Sequence, residues 1–164
     1  MFSRKTAIVT VSDRGASGDR EDTSGKALAE LLVAEGYEIC FTTVIPDEYE
    51  RIRQVLADLA DREKPALIVT TGGTGVAPRD VTPDATLSIV ERAVPGMAEA
   101  MRAASLQKTP HAMISRAAVG IRGTTLIVNL PGSPKGAVEN LMAILPAIPH
   151  ALDKIQGDPS DCAR

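Results

Sequence analysis

Aromatic side chains are scarce in this sequence: its 164 residues include two phenylalanines, two tyrosines and no tryptophan. Phe2, Tyr37, Phe41 and Tyr49 make no base-stacking platform, and any core must be aliphatic. Basic charge is not in excess either. The formal net charge is −3, which leaves no electrostatic footprint for a polyanion, so no nucleic-acid partner is expected. Cysteine is limited to Cys40 and Cys162, far apart and without metal-type spacing, which reads as two free thiols. No apolar run is long enough to span a membrane. The opening "MFSRKTAIVTVSD" carries a short apolar run that Ser12 and Asp13 end, unlike the longer run and small-residue cleavage site of a signal peptide. The expectation is a cytoplasmic protein with no membrane contact. Histidine is down to His111 and His150, neither set in a Ser–His or HExxH pattern, so acid–base machinery is not in view.

What is present is an ordinary globular composition, 44% apolar and 24% charged, at a length that suits one domain. The domain is expected over 1–157, with "GDPSDCAR" leaving a flexible tail at 158–164. "TAIVTV" (6–11), "EICFTTVI" (38–45), "ALIVT" (66–70) and "TLIVNL" (125–130) are nearly continuous apolar runs, as buried parallel strands are. Leu28, Leu31 and Leu32 recur at helical spacing across 24–35, and Gly36 follows as a natural stop. "DEYERIRQVLADLADR" opens with Asp47 and Glu50 in capping-box spacing and puts Ile52, Val55, Leu56 and Leu59 on one face. Further helices are expected at 83–92, at 95–106 and from about 134, broken near Pro146. "AAVGIRGTT" predicts a strand turning at 122–123 into the strand at 125, hence an antiparallel edge. Strands alternating with helices predict an α/β domain: three layers, α/β/α, with a mostly parallel sheet and one antiparallel edge.

In such sheets ligands bind beyond the carboxyl ends of the strands. The segments that follow the strands are "SDRGASGDREDTSG", "PDE", "TGGTGVAPRD" and "PGSPKG", the richest in Gly, Pro, Ser and Asp. The 72–75 turn offers free backbone N–H groups ahead of a helix, an arrangement that favours phosphate, although a tight reversal alone would also use these residues. A Walker loop is excluded by the missing lysine and second glycine, and a dinucleotide fingerprint by Pro78 where a third glycine belongs. Asp47 and Asp80 leave different strands yet should face one cleft. Asp47 also suits a helix cap, whereas Thr82 and Pro83 open the next helix without Asp80. Two carboxylates beside a phosphate turn repel unless a cation lies between them, and Mg²⁺ takes one or two carboxylates with phosphate oxygens and water. Phosphoryl or nucleotidyl transfer by an already ionised nucleophile suits such a site. In "NLPGSPKG", Ser133 can cap a helix that starts at Pro134, with Lys135 adding positive charge. In "DTSG", Asp22 or Ser24 can cap another, and "ISR" (114–116) brings a hydroxyl and a guanidinium within reach of phosphate.

Taken together, "VSD", "DTSG", "PDE", "TTGGTG", "PRDVTPDAT", "PGM", "SR", "GIRG" and "NLPGSPK" closely resemble the molybdopterin adenylyltransferase family, which includes the G domain of gephyrin-like two-domain proteins. The resemblance runs from about residue 5 to 157. It implies a homotrimer that joins ATP, with Mg²⁺, to molybdopterin, giving adenylyl-molybdopterin and pyrophosphate, and that hands its product to a molybdenum-insertion protein. It places Asp47 and Asp80 at catalytic, metal-holding positions and Thr74 beside them as catalytic. It assigns Gly72, Gly73, Gly75, Asn129 and Gly132 to the nucleotide, and Ser12, Asp13, Ser105, Ser115 and Arg116 to molybdopterin. A molybdopterin-binding paralogue or an oligomeric scaffold with little catalysis is the alternative.

Overall fold

The computed structural model describes residues 3–161; Cys162 and the end of the 158–164 segment lie outside them. The strands are β1 (Lys5–Val11), β2 (Glu38–Ile45), β3 (Leu67–Thr71), β4 (Arg92–Ala93), β5 (Val119–Arg122) and β6 (Thr125–Leu130). They form one sheet in the order β2-β1-β3-β6-β5-β4. β2, β1, β3 and β6 run parallel, and β5 and β4 close the sheet as an antiparallel edge. The helices are α1 (Asp13–Ala16), α2 (Thr23–Ala34), α3 (Tyr49–Asp58), α4 (Thr82–Ile89), α5 (Pro95–Leu106), α6 (Pro134–Ile144) and α7 (Ile148–Ile155). None of the described helices is long and apolar enough to cross a membrane.

Side-chain alternation along the central strands divides the core into two layers. Ile8, Val69 and Val128 lie side by side in register and pack with Leu28, Leu32, Met101, Leu141 and Ile148. Their neighbours Ala7, Ile68 and Ile127 point the other way, onto Ile52, Leu56 and Ala85 of α3 and α4. Both faces are covered, so these strands read as unbroken apolar runs. The end of α2 follows its sequence signal: Gly36 takes φ +82°, its N–H reaches the Val33 carbonyl at 3.0 Å, and Tyr37 N–H reaches the Leu32 carbonyl at 2.9 Å.

Two expectations are corrected. The helix predicted over 83–92 stops at Ile89, where Val90 turns extended. Glu91 and Val94 then donate to Ile121 and Val119 at 2.8 Å each, making Arg92–Ala93 the outermost strand. Pro95 favours that extended entry, since the residue before proline is biased away from helix. The four-residue helix α1 has no counterpart among the expected elements; Ser12 starts it by accepting from Gly15 N–H at 3.0 Å. In the last turn of α7, Lys154 Nζ holds Asp158 Oδ2 at 3.2 Å.

Asn129 is fully buried on β6. Its amide donates to Thr70 Oγ1 at 3.1 Å and to Thr86 Oγ1 at 2.9 Å, and its carbonyl accepts from Ala118 N–H at 3.2 Å. One side chain therefore ties β3, α4 and the approach to β5. Asn129→Ala leaves polar partners unsatisfied in a dry interior, so it should cost about 3 kcal/mol. The melting temperature, followed by circular dichroism, should then drop by roughly 10 °C; a change near zero would mean these groups find other partners.

Candidate active site

The chains leaving β1, β2, β3 and β6 all emerge on one edge of the sheet, and glycine lets them close on one another. Gly72 has φ +104°, and a Cβ there would overlap the Val11 carbonyl at the end of β1. Gly73, at φ +67°, has Thr82 Oγ1 on one side, and its Cβ would stand 3.1 Å from Asp47 Oδ1. The turn is stitched to β6 by Gly72 N–H on the Leu130 carbonyl at 3.1 Å and by Thr71 Oγ1 on the Pro131 carbonyl at 2.7 Å.

The glycine turn separates two adjoining cavities. The larger, about 620 Å³, is lined by Ser12, Asp47, Gly72, Gly73, Asp80 and Gly132 among others. The smaller, about 290 Å³, is lined by Thr74, Gly75, Ser105 and Ser115, together with Arg102 and Lys108. Ser133 borders both. The site residues expected from sequence are thus brought to one edge but sorted differently from their expected groups. Thr74 and Gly75 face the cavity of the pterin-assigned serines, while Ser12 falls with the two aspartates.

Three expected residues line neither cavity. Asn129 lies inside the sheet, where it can position the turn but not touch a ligand. Arg116 lies outside both cavities, with its guanidinium engaged by the protein. Nε donates to the Gly75 carbonyl at 2.8 Å, Nη2 donates to Asp84 Oδ2 at 2.9 Å, and Nη2 also reaches the Asp80 carbonyl. Its backbone N–H binds the Thr74 carbonyl at 2.8 Å, so Arg116 straps the glycine turn to α4. Asp13 is engaged by Arg79 and Asp47. Lys135 reaches toward Glu139 at 3.9 Å rather than a cavity. Ser133 caps α6 through Gly136 N–H at 3.1 Å, and Asp22, not Ser24, caps α2 through Gly25 N–H at 2.9 Å.

Asp47 does not cap its helix. The residue ahead of α3 is Glu48, which makes no side-chain cap bond. Instead Asp47 Oδ2 accepts from Asp13 N–H at 2.9 Å, and Asp13 Oδ1 accepts from Asp47 N–H at 3.0 Å. Asp80 Oδ2 accepts from Ala77 N–H at 2.9 Å, closing a local turn. Thr82 is not the cap of α4 either: Val81 precedes the helix without a cap bond, and the buried Thr82 hydroxyl has no partner among the described residues. Burial pushes the Asp47 carboxyl above the usual carboxylate range; the Asp13 N–H pulls it back, and the negative charges of Asp13 and Asp80 add to the rise.

Among the described residues no three His, Cys, Asp or Glu side chains gather to hold a metal by themselves. Two mutually repelling carboxylates beside a phosphate-type turn fit a cation that arrives with a phosphate ligand and completes its shell with water, as Mg²⁺ does. Several neighbours carry no clear signal in the sequence. Asn140 Nδ2 donates to Ser105 Oγ at 2.9 Å, which leaves the serine proton free for a ligand. Lys108 pairs with Glu139 at 2.9 Å. Arg79 forks Asp13, and its only sequence signal is a place next to Asp80.

The raised Asp47 carboxyl has a stability signature. The native state binds this proton more tightly than the unfolded chain does, so stability falls as pH rises through the ordinary carboxylate range toward the raised value. In EDTA, Asp47→Asn should therefore melt higher than the unaltered protein at pH 7. The difference should vanish below roughly pH 3.5, where both states are protonated. A lower melting temperature at pH 7 would show that the charge holds the site together.

A family model described as "Probable molybdopterin binding domain" matches residues 7–150. The molybdopterin adenylyltransferase of Helicobacter pylori is 42% identical over 154 residues, spanning 92% of this chain and 87% of that protein. That of Escherichia coli strain K12 is 44% identical over 147 residues, 88% of this chain and 75% of that one. The solved structure of a molybdopterin biosynthesis enzyme, MoaB, from Thermus thermophilus superposes with a TM-score of 0.90 at 51% identity, covering 98% of this chain and 100% of its own. With a family match across most of its length and relatives this similar, the chain belongs to the molybdopterin-binding domain family of molybdenum cofactor biosynthesis.

Proposed function

We propose that this chain transfers the adenylyl group of ATP to molybdopterin, releasing pyrophosphate and giving adenylyl-molybdopterin ahead of molybdenum insertion. The observation that carries the reading is the pair of cavities on either side of one glycine turn, with Asp47 and Asp80 in the larger. Two anionic ligands placed there meet at the turn. ATP takes the larger cavity, against Gly72, Gly73 and Gly132. Molybdopterin takes the smaller, where Thr74, Ser105 and Ser115 offer hydroxyls and Arg102 and Lys108 offer positive charge. A phosphate oxygen of molybdopterin attacks the α-phosphorus of ATP. The bond from that phosphorus to the bridging oxygen breaks, and pyrophosphate leaves with the electron pair.

The nucleophile is already ionised near neutrality, so no residue need remove a proton, and a site without a catalytic histidine suffices. The protein's part is alignment and electrostatics. Asp47 and Asp80 would hold Mg²⁺ carried in with ATP, which neutralises charge on the phosphates. Asn140 keeps the Ser105 hydroxyl turned outward, and Arg116 keeps the turn closed. The reaction belongs in the cytoplasm, where ATP is at hand, and its product passes to a molybdenum-insertion protein. The working form is a homotrimer; exposed apolar side chains such as Met113, Ile114 and Val76, at 71%, 52% and 63% exposure, are surface that assembly would cover.

The test is pyrophosphate release from Mg-ATP with and without molybdopterin; no dependence on molybdopterin overturns the reading. Asp80→Asn keeps an acceptor for Ala77 N–H but removes the charge. Turnover should fall at least about a hundredfold, while melting temperature and molybdopterin affinity stay unchanged. Near-normal turnover would rule out the metal role. For assembly, light scattering at micromolar concentration should give about three times the monomer mass, and a monomer would exclude the trimer.

A further inference from the structure

We propose that Arg79 is a positioning residue: its fork on Asp13 holds the loop carrying Asp80 against the loop carrying Asp47 and sets the gap between the two carboxylates. The inference rests on the adenylyltransferase reading above. Arg79 Nε donates to Asp13 Oδ2 at 2.6 Å and Nη2 to Asp13 Oδ1 at 2.8 Å, bridging 66 residues of sequence. Asp13 and Asp47 are locked to each other by their reciprocal backbone-to-carboxylate bonds at 2.9 and 3.0 Å. On the other side, Asp80 N–H binds the Ala77 carbonyl and Asp80 Oδ2 binds Ala77 N–H, both at 2.9 Å, so 77–80 is one tight turn. The route Asp80, Arg79, Asp13, Asp47 therefore runs through fixed contacts. Arg116 also holds the glycine loop, but it ties that loop to its own following helix and cannot set its distance from Asp47.

Even with two-pronged geometry, folding stability gives this fork only a modest reason to exist. Its side chains are 60% and 43% exposed, a setting in which an ion pair contributes little to folding. Its geometry serves the cavity instead. The guanidinium offsets part of the Asp13 charge, which acts on the Asp47 carboxyl together with that of Asp80. Lysine at this place would keep the charge but lose the two-pronged grip.

The experiment measures Mn²⁺ binding by electron paramagnetic resonance in the presence of α,β-methylene ATP, alongside steady-state turnover and melting temperature, for the full chain and its variants. In Arg79→Gln, Mn²⁺ affinity and kcat should each fall about tenfold, the scale of losing a group that orients a metal ligand. KM for molybdopterin and melting temperature should hold. Arg79→Lys should recover only part of the loss. Adding Asp13→Asn to Arg79→Gln should cost nothing more, because both break the same link. Unchanged Mn²⁺ affinity in Arg79→Gln overturns the inference while leaving the proposed function standing. Full recovery by Arg79→Lys replaces positioning with charge alone and overturns it too. Failure of the unaltered protein to bind Mn²⁺ with the analogue overturns the metal reading of the site and this inference with it.

Discussion

Asp47 and Asp80 face one cavity from two separate loops, and holding two like charges in a half-buried place is the constraint that the surrounding contacts must meet. Alone, each loop would relax away from the other, since exposed segments between secondary elements have little to hold them. Asp47 is instead locked to Asp13 by reciprocal bonds, and Asp80 is folded into a closed turn at Ala77. Burial, with the charges of Asp13 and Asp80 beside it, pushes the Asp47 carboxyl above its ordinary range. Under the proposed function, such a site would bind a metal together with its phosphate ligand and gain little from either alone.

The sheet supplies what the loops cannot. Four parallel strands end on the same edge, and the buried aliphatic faces of β1, β3 and β6 leave those strands no freedom to slide, while the edge strand β2 is largely exposed. Gly72 brings the end of β3 against the Val11 carbonyl, so the glycine turn is set directly on the central strands. Asn129 and Arg116 then fix that turn from behind and from the side, without touching either cavity. Rigid placement is what a reaction between two anions demands: the work is alignment, and misplacement by an ångström is costly.

The outline of this arrangement is legible along the chain. Unbroken apolar runs in "TAIVTV" and "TLIVNL" announce parallel strands covered on both faces. The same polar and glycine-rich residues that mark turns mark the ligand edge. Asp80 stands out because it lacks a capping duty. Asp47 is ambiguous, since an aspartate ahead of a helix looks the same whether it caps that helix or turns aside to bind Asp13. The short strand at Arg92–Ala93 is hidden for a similar reason: its pairing with β5 outweighs a local preference to continue the helix.

The sequence by itself determined the α/β class, the positions of every strand but the short edge strand at Arg92–Ala93, and the collection of glycines, serines and aspartates at the strand ends, because periodicity and turn chemistry are local properties. Tertiary structure alone decided what those groups do. It put Gly72 and Gly73 in one cavity and Thr74 and Gly75 in the other, turned Arg116 from a ligand group into a strap, and buried Asn129. It also joined Arg79 to Asp13 across 66 residues and Asp13 to Asp47 across 34. Partners that far apart share no repeat in the chain, and they meet only because the strand order places their loops side by side.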